Sequence, residues 1–527
     1  MPNVSLDLDA EEAAFQAQVA AIEKEWQNPR QAHLKRPYSA ESIAALRNTI
    51  PITYPSSLQG DKLWNILKTH LANGTHEKTF GTTEPTVVSQ MVKHQQVRST
   101  FIRKTVYVSG ALCGLSEVQH PGCDHADYPW DTVPKVVEKI FKAQLFHDQR
   151  QNQFRMRHSK EERANLEKYD FMAPIIADGD MGFGGLTTTV KLAKLFVEAG
   201  VAMIHLDDLA IGLKKFTVGE GRTVVPTSEY LSRLTAVRMQ FDVMGTNTLL
   251  MCRCDTDRSQ FITSTIDPRD HEYIIGATKD LDPLVEYVAQ GMAEGKPYVQ
   301  ARDEWKSQAG LMTFDQAVKE KATEEEFQQY ASKAIAYGIS LKEKRRIAKE
   351  LVKQDVFFDW ELPRSKEGQY MWKPSVKTIV ERAILVAPLG DMTWARMDAP
   401  VWKDIVEFHT EVRKVYPDRM FAFGFTGMYN YEAAGFGQEQ VKSFSDDMAK
   451  LGIVWQVQPI WSVAGLNITA EKFAKEWQRD GIAGYIETIS KPSRAPPIVD
   501  GFHKLSYAGS YLADAFFAVV AGEKIVP

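Results

Sequence analysis

Acidic side chains occur near the ends of successive predicted elements of this 527-residue chain. Asp178 and Asp180 follow one apolar run, Asp207 follows the next, and Asp124 lies in an earlier loop. A single Asp in such a place is typical of a helix N-cap or a loop. Four of them near the ends of three successive elements predict a divalent-metal site, because carboxylates are the ligands that hard cations prefer.

The elements that position these residues follow a regular order. Short apolar runs, each predicted as a strand, span residues 105–108, 174–177, 202–206, 248–252, 392–395, 420–424 and 453–457. Amphipathic stretches lie between them, such as 192–200, whose final Gly200 fits the end of a helix. This alternation predicts a parallel α/β fold. Polar residues at the strand ends favour a (β/α)8 barrel, with a doubly wound sheet as the competing interpretation.

The composition indicates which classes of partner the protein could bind and in which compartment it is located. The net charge of −5 indicates neither a nucleic-acid partner nor an anionic membrane surface. No run approaches the roughly 20 apolar residues of a membrane span, and the N-terminus has no basic segment before an apolar run. Four cysteines do not make a disulfide framework, so the predicted location is the reducing cytoplasm. Cys252 and Cys254 could be metal ligands, but their spacing is also that of buried strand residues.

Several longer motifs occur in order along the chain. They span residues 127–134, 143–148, 176–185 and 261–271. In these motifs the chain resembles the isocitrate lyase family in its longer, fungal-type form. The resemblance implies a (β/α)8 barrel of the isocitrate lyase/phosphoenolpyruvate mutase superfamily, assembled as a homotetramer with exchanged C-terminal helices. The expected regions are an N-terminal helical region 1–104, a barrel 105–264 and 376–470, a helical insertion 265–375, and C-terminal helices 471–527.

The resemblance also implies a metal site and a substrate site. In the family, Mg²⁺ (with Mn²⁺ as a substitute) polarises the hydroxyl and carboxylate of the substrate. The expected metal-site residues are Asp178, Asp124, Asp180 and Asp207. A carboxylic acid substrate would be held by Ser109, Gly110, His205, Arg253 and Thr426. Arg253 suits bidentate binding of a carboxylate, although a pairing with Asp255 or Asp257 is equally open.

The chain departs from the family pattern in the catalytic loop and among the residues that bind succinate in the family. The family's Lys-Lys-Cys-Gly-His carries an acid/base Cys, and Phe216 stands at that position here. A phenyl ring cannot carry a proton, so Glu220 in the same loop is the weak remaining candidate, with a solvated turn residue as the alternative. The family's Trp after Ser-Gly is Ala111, and its Met-Glu-Thr has Arg396 in place of Glu. Of its Asn-x-Ser-Pro-Ser, only Thr426 keeps a hydroxyl.

These features predict a Mg²⁺-dependent enzyme that cleaves or forms a carbon–carbon bond. Its substrate would be an α-hydroxy or α-keto carboxylic acid other than isocitrate, with secondary metabolism as one setting. The residues expected to bind the metal are retained, whereas those that bind succinate in the family are lost. This difference favours an enzyme with a changed substrate. The alternative is a non-catalytic relative that binds a metabolite or serves as a partner subunit.

Overall fold

Eight short strands, most of them apolar, form the centre of the fold. The structure, a computed structural model, describes residues 7–95, 105–122, 124–166, 168–213, 221–397, 400–425, 430–494 and 510–526. The strands are β1 (Glu77–Phe80), β2 (Val106–Val108), β3 (Ile175–Asp178), β4 (Met203–Leu206), β5 (Leu249–Cys254), β6 (Met392–Ala395), β7 (Phe421–Gly424) and β8 (Ile453–Gln458).

Neighbouring strands pair in chain order and in parallel, from β2 round to β8, and β8 pairs with β1. A parallel bridge between Gly81 and Tyr107 joins the end of β1 to β2. There the amide of Thr82 donates a hydrogen bond to the Tyr107 carbonyl at 3.2 Å. This contact closes the sheet into a barrel. The (β/α)8 prediction is therefore confirmed, and the doubly wound sheet is wrong because such a sheet would remain open.

Helices connect the strands. They are α1 (Leu8–Trp26), α2 (Ala40–Leu46), α3 (Pro55–Asn73), α4 (Pro85–Gln95), α5 (Gly110–Ser116), α6 (Thr132–Met156), α7 (Lys160–Ala164), α8 (Leu186–Glu198), α9 (Thr227–Met244), α10 (Leu284–Ala293), α11 (Tyr298–Gln308), α12 (Phe314–Lys321), α13 (Glu324–Ala334), α14 (Leu341–Leu351), α15 (Val376–Val386), α16 (Trp402–Val415), α17 (Gln438–Lys450), α18 (Trp461–Asp480), α19 (Ile482–Tyr485), α20 (Lys491–Arg494) and α21 (Ser510–Val520). In α8, Leu192, Ala193, Phe196 and Val197 are buried at helical spacing. Gly200, with φ of 90°, follows its end, as predicted.

Aromatic side chains fill the interior of the barrel. The rings of Tyr107 and Trp455 are 5.5 Å apart, and those of Trp394 and Trp455 are 6.1 Å apart. Helix α3 closes the amino-terminal end, where Leu63 and Leu67 are fully buried in the same apolar cluster. With the interior packed, a ligand is expected at the carboxyl ends of the strands.

Strand β1 is the barrel strand that the sequence analysis missed. It lies within 1–104, the region expected to be helical, so the barrel begins before residue 105. The reason is its composition: the strand begins with a charged residue instead of an apolar run. Glu77 is fully buried and accepts hydrogen bonds from the amide and hydroxyl of Thr105, at 2.8 and 3.2 Å, whereas Lys78 is exposed.

Residues 265–375 contain helices α10 to α14, a 3-10 helix (Pro268–Tyr273) and short strands. The strands outside the barrel are Thr223–Val224, Phe261–Ile262, Ile275–Gly276, Met312–Thr313 and Tyr370–Met371. Helices α12 to α14 pack round their own apolar cluster, which includes Phe314, Tyr330 and Ile347. The helical character expected for this segment is present, and its domain boundaries stay a prediction.

The helix that follows β8 extends away from the barrel. Ser462 is the buried residue of α18. Large apolar side chains remain exposed along α18 and α19: Ile468 to 65%, Trp477 to 49% and Ile482 to 64%. Within the described residues, no helix is both long and apolar enough to cross a membrane.

Candidate active site

The carboxyl ends of the barrel strands surround a small open pocket. It is lined by Tyr107, Ser109, Ala111, Ala126, Asp178, Asp180, Arg253, Trp394, Arg396 and Pro459. Four of the predicted site residues, from three different strand ends, therefore meet at one pocket. They are Ser109, Asp178, Asp180 and Arg253.

Asp178 and Asp180 form the acidic side of this pocket. The Asp178 carboxylate accepts hydrogen bonds from the Gly110 amide at 3.1 Å and from the Asp180 amide at 3.0 Å. A Cβ atom on Gly110 would lie 3.0 Å from an oxygen of each carboxylate and 2.1 Å from the Tyr128 hydroxyl. Gly110 is itself a predicted site residue. Because it has no side chain, the space between these groups stays open.

The backbone at Asp180 is held in an unusual conformation. Its φ of 45° lies in the left-handed region, which non-glycine residues adopt rarely and mostly where the surroundings fix them. The Asp207 amide donates a hydrogen bond to the Asp180 carbonyl at 2.7 Å and stabilises this turn. Burial raises the pKa of Asp180 to about 7 and raises the pKa of Asp207 well above its usual range. Buried carboxylates of this kind are suited to a cation that compensates their charge.

The acidic side fits the Mg²⁺ that the family resemblance implies. Among the described residues, no three His, Cys, Asp or Glu side chains form a ready-made metal cage. Mg²⁺ does not require one, since it usually keeps several waters and binds through one or two carboxylates. Asp178 and Asp180 supply two carboxylates at the pocket wall. The fully buried Asp207 does not line the pocket, and its part in metal binding stays a prediction.

Asp124 lies at the rim of the pocket, in the loop after α5. Its carboxylate accepts a hydrogen bond from the Ala126 amide at 2.9 Å, and Ala126 lines the pocket. Asp124 therefore shapes this loop. Its predicted role near the metal stays a prediction.

His205 lies beneath the pocket, next to Asp178. The Tyr107 hydroxyl is 2.9 Å from Nε2 of His205, and Nδ1 of His205 is 3.5 Å from Asp178 Oδ1. Burial lowers the pKa of His205 to about 4, so the imidazole is neutral near pH 7. A neutral ring that places its N–H towards Asp178 accepts a hydrogen bond from Tyr107 at the other nitrogen. The sequence analysis expected His205 to bind substrate, but the structure places its fully buried ring behind the pocket wall.

Arg253 and Arg396 form the basic side. Arg253 donates from Nε and Nη2 to the two carboxylate oxygens of Asp255, at 2.9 and 3.1 Å. Its guanidinium also lies 4.9 Å from the centre of the Trp394 ring. Burial would raise the pKa of Asp255, but Arg253 and Arg396 hold that pKa well below its usual range. The pairing with Asp255 that the sequence left open is thus confirmed, and Arg253 nevertheless lines the pocket.

Comparison with known proteins decides the family. The profile described as "Isocitrate lyase family" matches residues 18–525. The chain belongs to the isocitrate lyase family. It is 51% identical to the "Mitochondrial 2-methylisocitrate lyase" of Schizosaccharomyces pombe, over 99% of this chain and 100% of that protein. It is 36% identical to the "Isocitrate lyase" of Oryza sativa subsp. japonica, over 97% of this chain and 91% of that protein.

A third relative adds to this comparison. The "2-methylisocitrate lyase, mitochondrial" of Hypocrea atroviridis is 34% identical, over 97% of this chain and 92% of that protein. The names of both 2-methylisocitrate lyases place those proteins in mitochondria, which differs from the cytoplasm expected here. The compartment of this chain stays a prediction.

Several predicted features lie outside the described residues. Phe216, Glu220 and Thr426 fall in this group, so their predicted roles stay predictions. The described departures from the family pattern, Ala111 and Arg396, both line the pocket.

The two cysteines of β5 are fully buried free thiols. Burial raises the pKa of Cys252 to about 11 and that of Cys254 well above its usual range. Metal binding needs the thiolate form. The interpretation as buried strand residues is therefore the correct one.

Sequence reasoning missed three residues that build the pocket. Tyr107 and Trp394 lie within predicted strands, where they looked like ordinary core residues, and Asp255 was considered solely as a partner of Arg253. The sequence did contain a signal for Tyr107 and Trp394. Each lies two positions before a polar residue that directly follows a predicted strand. Side chains two apart on a strand share a face, so Tyr107 faces the same way as Ser109, and Trp394 the same way as Arg396.

Proposed function

We propose that this protein is a Mg²⁺-dependent carbon–carbon lyase that cleaves 2-methylisocitrate or a closely similar branched 2-hydroxy tricarboxylate. The observation that carries the proposal is the division of the pocket into an acidic side, Asp178 and Asp180, and a basic side, Arg253 and Arg396. A metal ion and a polycarboxylate together match this distribution of charge.

The proposed reaction is a retro-aldol cleavage. The substrate hydroxyl loses its proton, and the bond from its carbon to the neighbouring carbon breaks. The hydroxyl-bearing fragment becomes the keto acid pyruvate. The electron pair stays on the other fragment, which takes up a proton and becomes succinate. A Mg²⁺ ion held by Asp178 and Asp180 would supply Lewis-acid polarisation of the hydroxyl.

The residues of the chain orient the substrate and the metal ligands. Arg253, fixed by Asp255 and Trp394, presents a planar guanidinium to a substrate carboxylate. Ser109 offers a hydroxyl at the pocket wall. His205, whose Nε2 is 2.9 Å from the Tyr107 hydroxyl, lies with its Nδ1 3.5 Å from the Asp178 carboxylate. The proton carrier is not among these residues, and Glu220 remains the candidate named from the sequence.

Ala111 and the relatives together support a branched substrate. The family resemblance places a Trp at this position, and here a single methyl group lines the pocket beside Asp178. The additional space would accommodate the methyl branch of 2-methylisocitrate. The relative that is 51% identical to this chain is named as a 2-methylisocitrate lyase.

The test compares two substrates with the purified protein. We expect pyruvate from 2-methylisocitrate in the presence of Mg²⁺, and glyoxylate from isocitrate at a much lower kcat/KM. A chelator should stop both reactions. Ordinary turnover of isocitrate with none of 2-methylisocitrate would contradict the proposed substrate. Absence of turnover on either would favour the non-catalytic alternative.

We also propose that the protein assembles as a homotetramer in which the C-terminal helices are exchanged between subunits. In a (β/α)8 barrel the helix after the last strand normally packs on the barrel, but α18 is exposed along most of its length. Trp477, Ile482 and Phe517 are 49%, 64% and 72% exposed, and a neighbouring subunit would cover these apolar side chains.

A charge in place of one of these exposed apolar side chains is expected to weaken the assembly. Trp477→Glu should shift the protein from tetramer towards smaller species in light scattering coupled to gel filtration, because it places a carboxylate in an apolar interface. Gln478→Glu, which adds the same charge to the adjacent exposed residue, is the matched control and should remain tetrameric. A wild-type protein that is monomeric at micromolar concentration would refute the assembly.

A further inference from the structure

We propose that Tyr128 is a positioning residue of the metal site. Its hydroxyl donates a hydrogen bond to the carboxylate pair of Asp178 and Asp180 when a metal ion is bound. This inference rests on the proposed function, which supplies the metal ion. It goes further by giving a role to the segment Asp127-Tyr128-Pro129, which belongs to one of the motifs of the sequence and carries none of the residues that line the pocket.

The Tyr128 hydroxyl lies close to both carboxylates of the acidic side. A Cβ atom on Gly110 would be 2.1 Å from the hydroxyl oxygen, and the same point is 3.0 Å from an oxygen of Asp178 and 3.0 Å from an oxygen of Asp180. Three side-chain oxygens therefore surround one point next to Gly110. This arrangement places a hydroxyl donor in the immediate neighbourhood of two carboxylate acceptors.

This hydroxyl is a buried polar group. Tyr128 is 7% exposed, and within the part of the chain that the structure describes its hydroxyl has no hydrogen-bond partner. Burying a hydroxyl in this way costs free energy, and native proteins leave few such groups unsatisfied. A phenylalanine at this position would avoid the cost. The hydroxyl is therefore expected to gain a partner in another state of the protein, and the adjacent carboxylates indicate the state with a bound metal ion.

Packing fixes the direction of the Tyr128 side chain. Its ring belongs to the largest apolar cluster and lies 5.3 Å from the ring of Phe183, which is in the loop that follows Asp180. A Cβ atom on Gly114 of α5 would lie 3.1 Å from Cδ1 of the same ring, so this helix also passes close to it. A ring fixed by both elements keeps its hydroxyl beside the carboxylates. Groups that hydrogen-bond to metal ligands from outside in this way set the orientation of those ligands.

Tyr128→Phe removes the hydroxyl alone, and Mg²⁺ without substrate is the probe. In the absence of metal, the melting temperature of the variant should equal or exceed that of wild type, because the variant lacks a buried group without a partner. In calorimetry with Mg²⁺, its affinity should be about 10- to 100-fold lower than that of wild type, the usual effect of removing a group that orients a metal ligand. A hydroxyl with a purely structural role would give the opposite pattern.

Tyr330→Phe is the matched control, because the Tyr330 hydroxyl already has a partner. It is fully buried in the cluster of α12 to α14 and donates a hydrogen bond to Asp315 at 2.5 Å. Loss of this bond should lower the melting temperature without metal. The affinity for Mg²⁺ should stay that of wild type.

Two results would overturn the role of Tyr128 alone. One is an unchanged Mg²⁺ affinity in Tyr128→Phe. The other is a metal-free Tyr128→Phe that melts well below wild type or does not fold, since the hydroxyl would then be bonded before any metal binds. Mg²⁺ binding that depends on Tyr128 in a protein without lyase activity would refute the proposed function alone. A wild-type protein that binds no Mg²⁺ would overturn both.

Discussion

Asp178→Asn is expected to lower kcat/KM for 2-methylisocitrate by about 10³-fold or more, since metal polarisation of a substrate contributes several kcal/mol to the transition state. Asp178 lines the pocket, and two backbone amides orient its carboxylate. Asparagine keeps the size of the side chain but lacks the charge that binds Mg²⁺. The same variant should lose the Mg²⁺-dependent increase in melting temperature that we expect for wild type.

Asp303→Asn is the control for this experiment, because its carboxylate is 57% exposed in the segment 265–375. It should retain both the activity and the response to Mg²⁺. If Asp178→Asn still responded to millimolar Mg²⁺ as wild type does, the metal would bind elsewhere. Full activity in Asp178→Asn would show that catalysis does not use the acidic side of the pocket.

Ala111→Trp is expected to change the preference between substrates. Ala111 lines the pocket, and an indole there would occupy the space that we assign to the methyl branch. One methyl group in a fitted pocket is typically worth about 10- to 200-fold in kcat/KM. The ratio of kcat/KM for 2-methylisocitrate to that for isocitrate should therefore fall by roughly that factor.

Ala111→Ser, which adds a single small atom, should leave this ratio nearly unchanged. The melting temperature of both variants shows whether the fold has survived. An equal loss on both substrates would mean that the indole blocks the pocket as a whole. An unchanged ratio in a well-folded Ala111→Trp would assign the methyl branch to another part of the pocket.

Much of the barrel could be predicted because its strands are apolar runs. Seven strands were found in this way, and the polar residues that follow them identified the face that carries the pocket. Strand β1 could not be found in the same way, because it begins with Glu77, whose buried side chain accepts hydrogen bonds from Thr105 on a different segment of the chain. A buried polar residue whose hydrogen-bond partner lies elsewhere in the chain leaves no local signal in the sequence.

The site was predictable in part for a related reason. Asp178 and Arg253 directly follow predicted strand runs and Asp180 comes two residues after Asp178, so their convergence follows from barrel geometry. Whether a residue lines the pocket or lies behind it depends on the direction of its side chain. His205 lies within a predicted strand, and it is fully buried next to Tyr107 and Asp178. Packing of this kind depends on contacts between strands, which the sequence does not reveal residue by residue.

Product analysis with carbon-labelled 2-methylisocitrate tests the central claim most directly. Nuclear magnetic resonance would follow the purified wild-type protein and Asp178→Asn with Mg²⁺ present. We predict pyruvate and succinate in equal amounts from wild type, and no products above background from Asp178→Asn over the same time. Unchanged substrate after prolonged incubation with folded, Mg²⁺-supplied wild type would contradict the account, as would products other than these two acids.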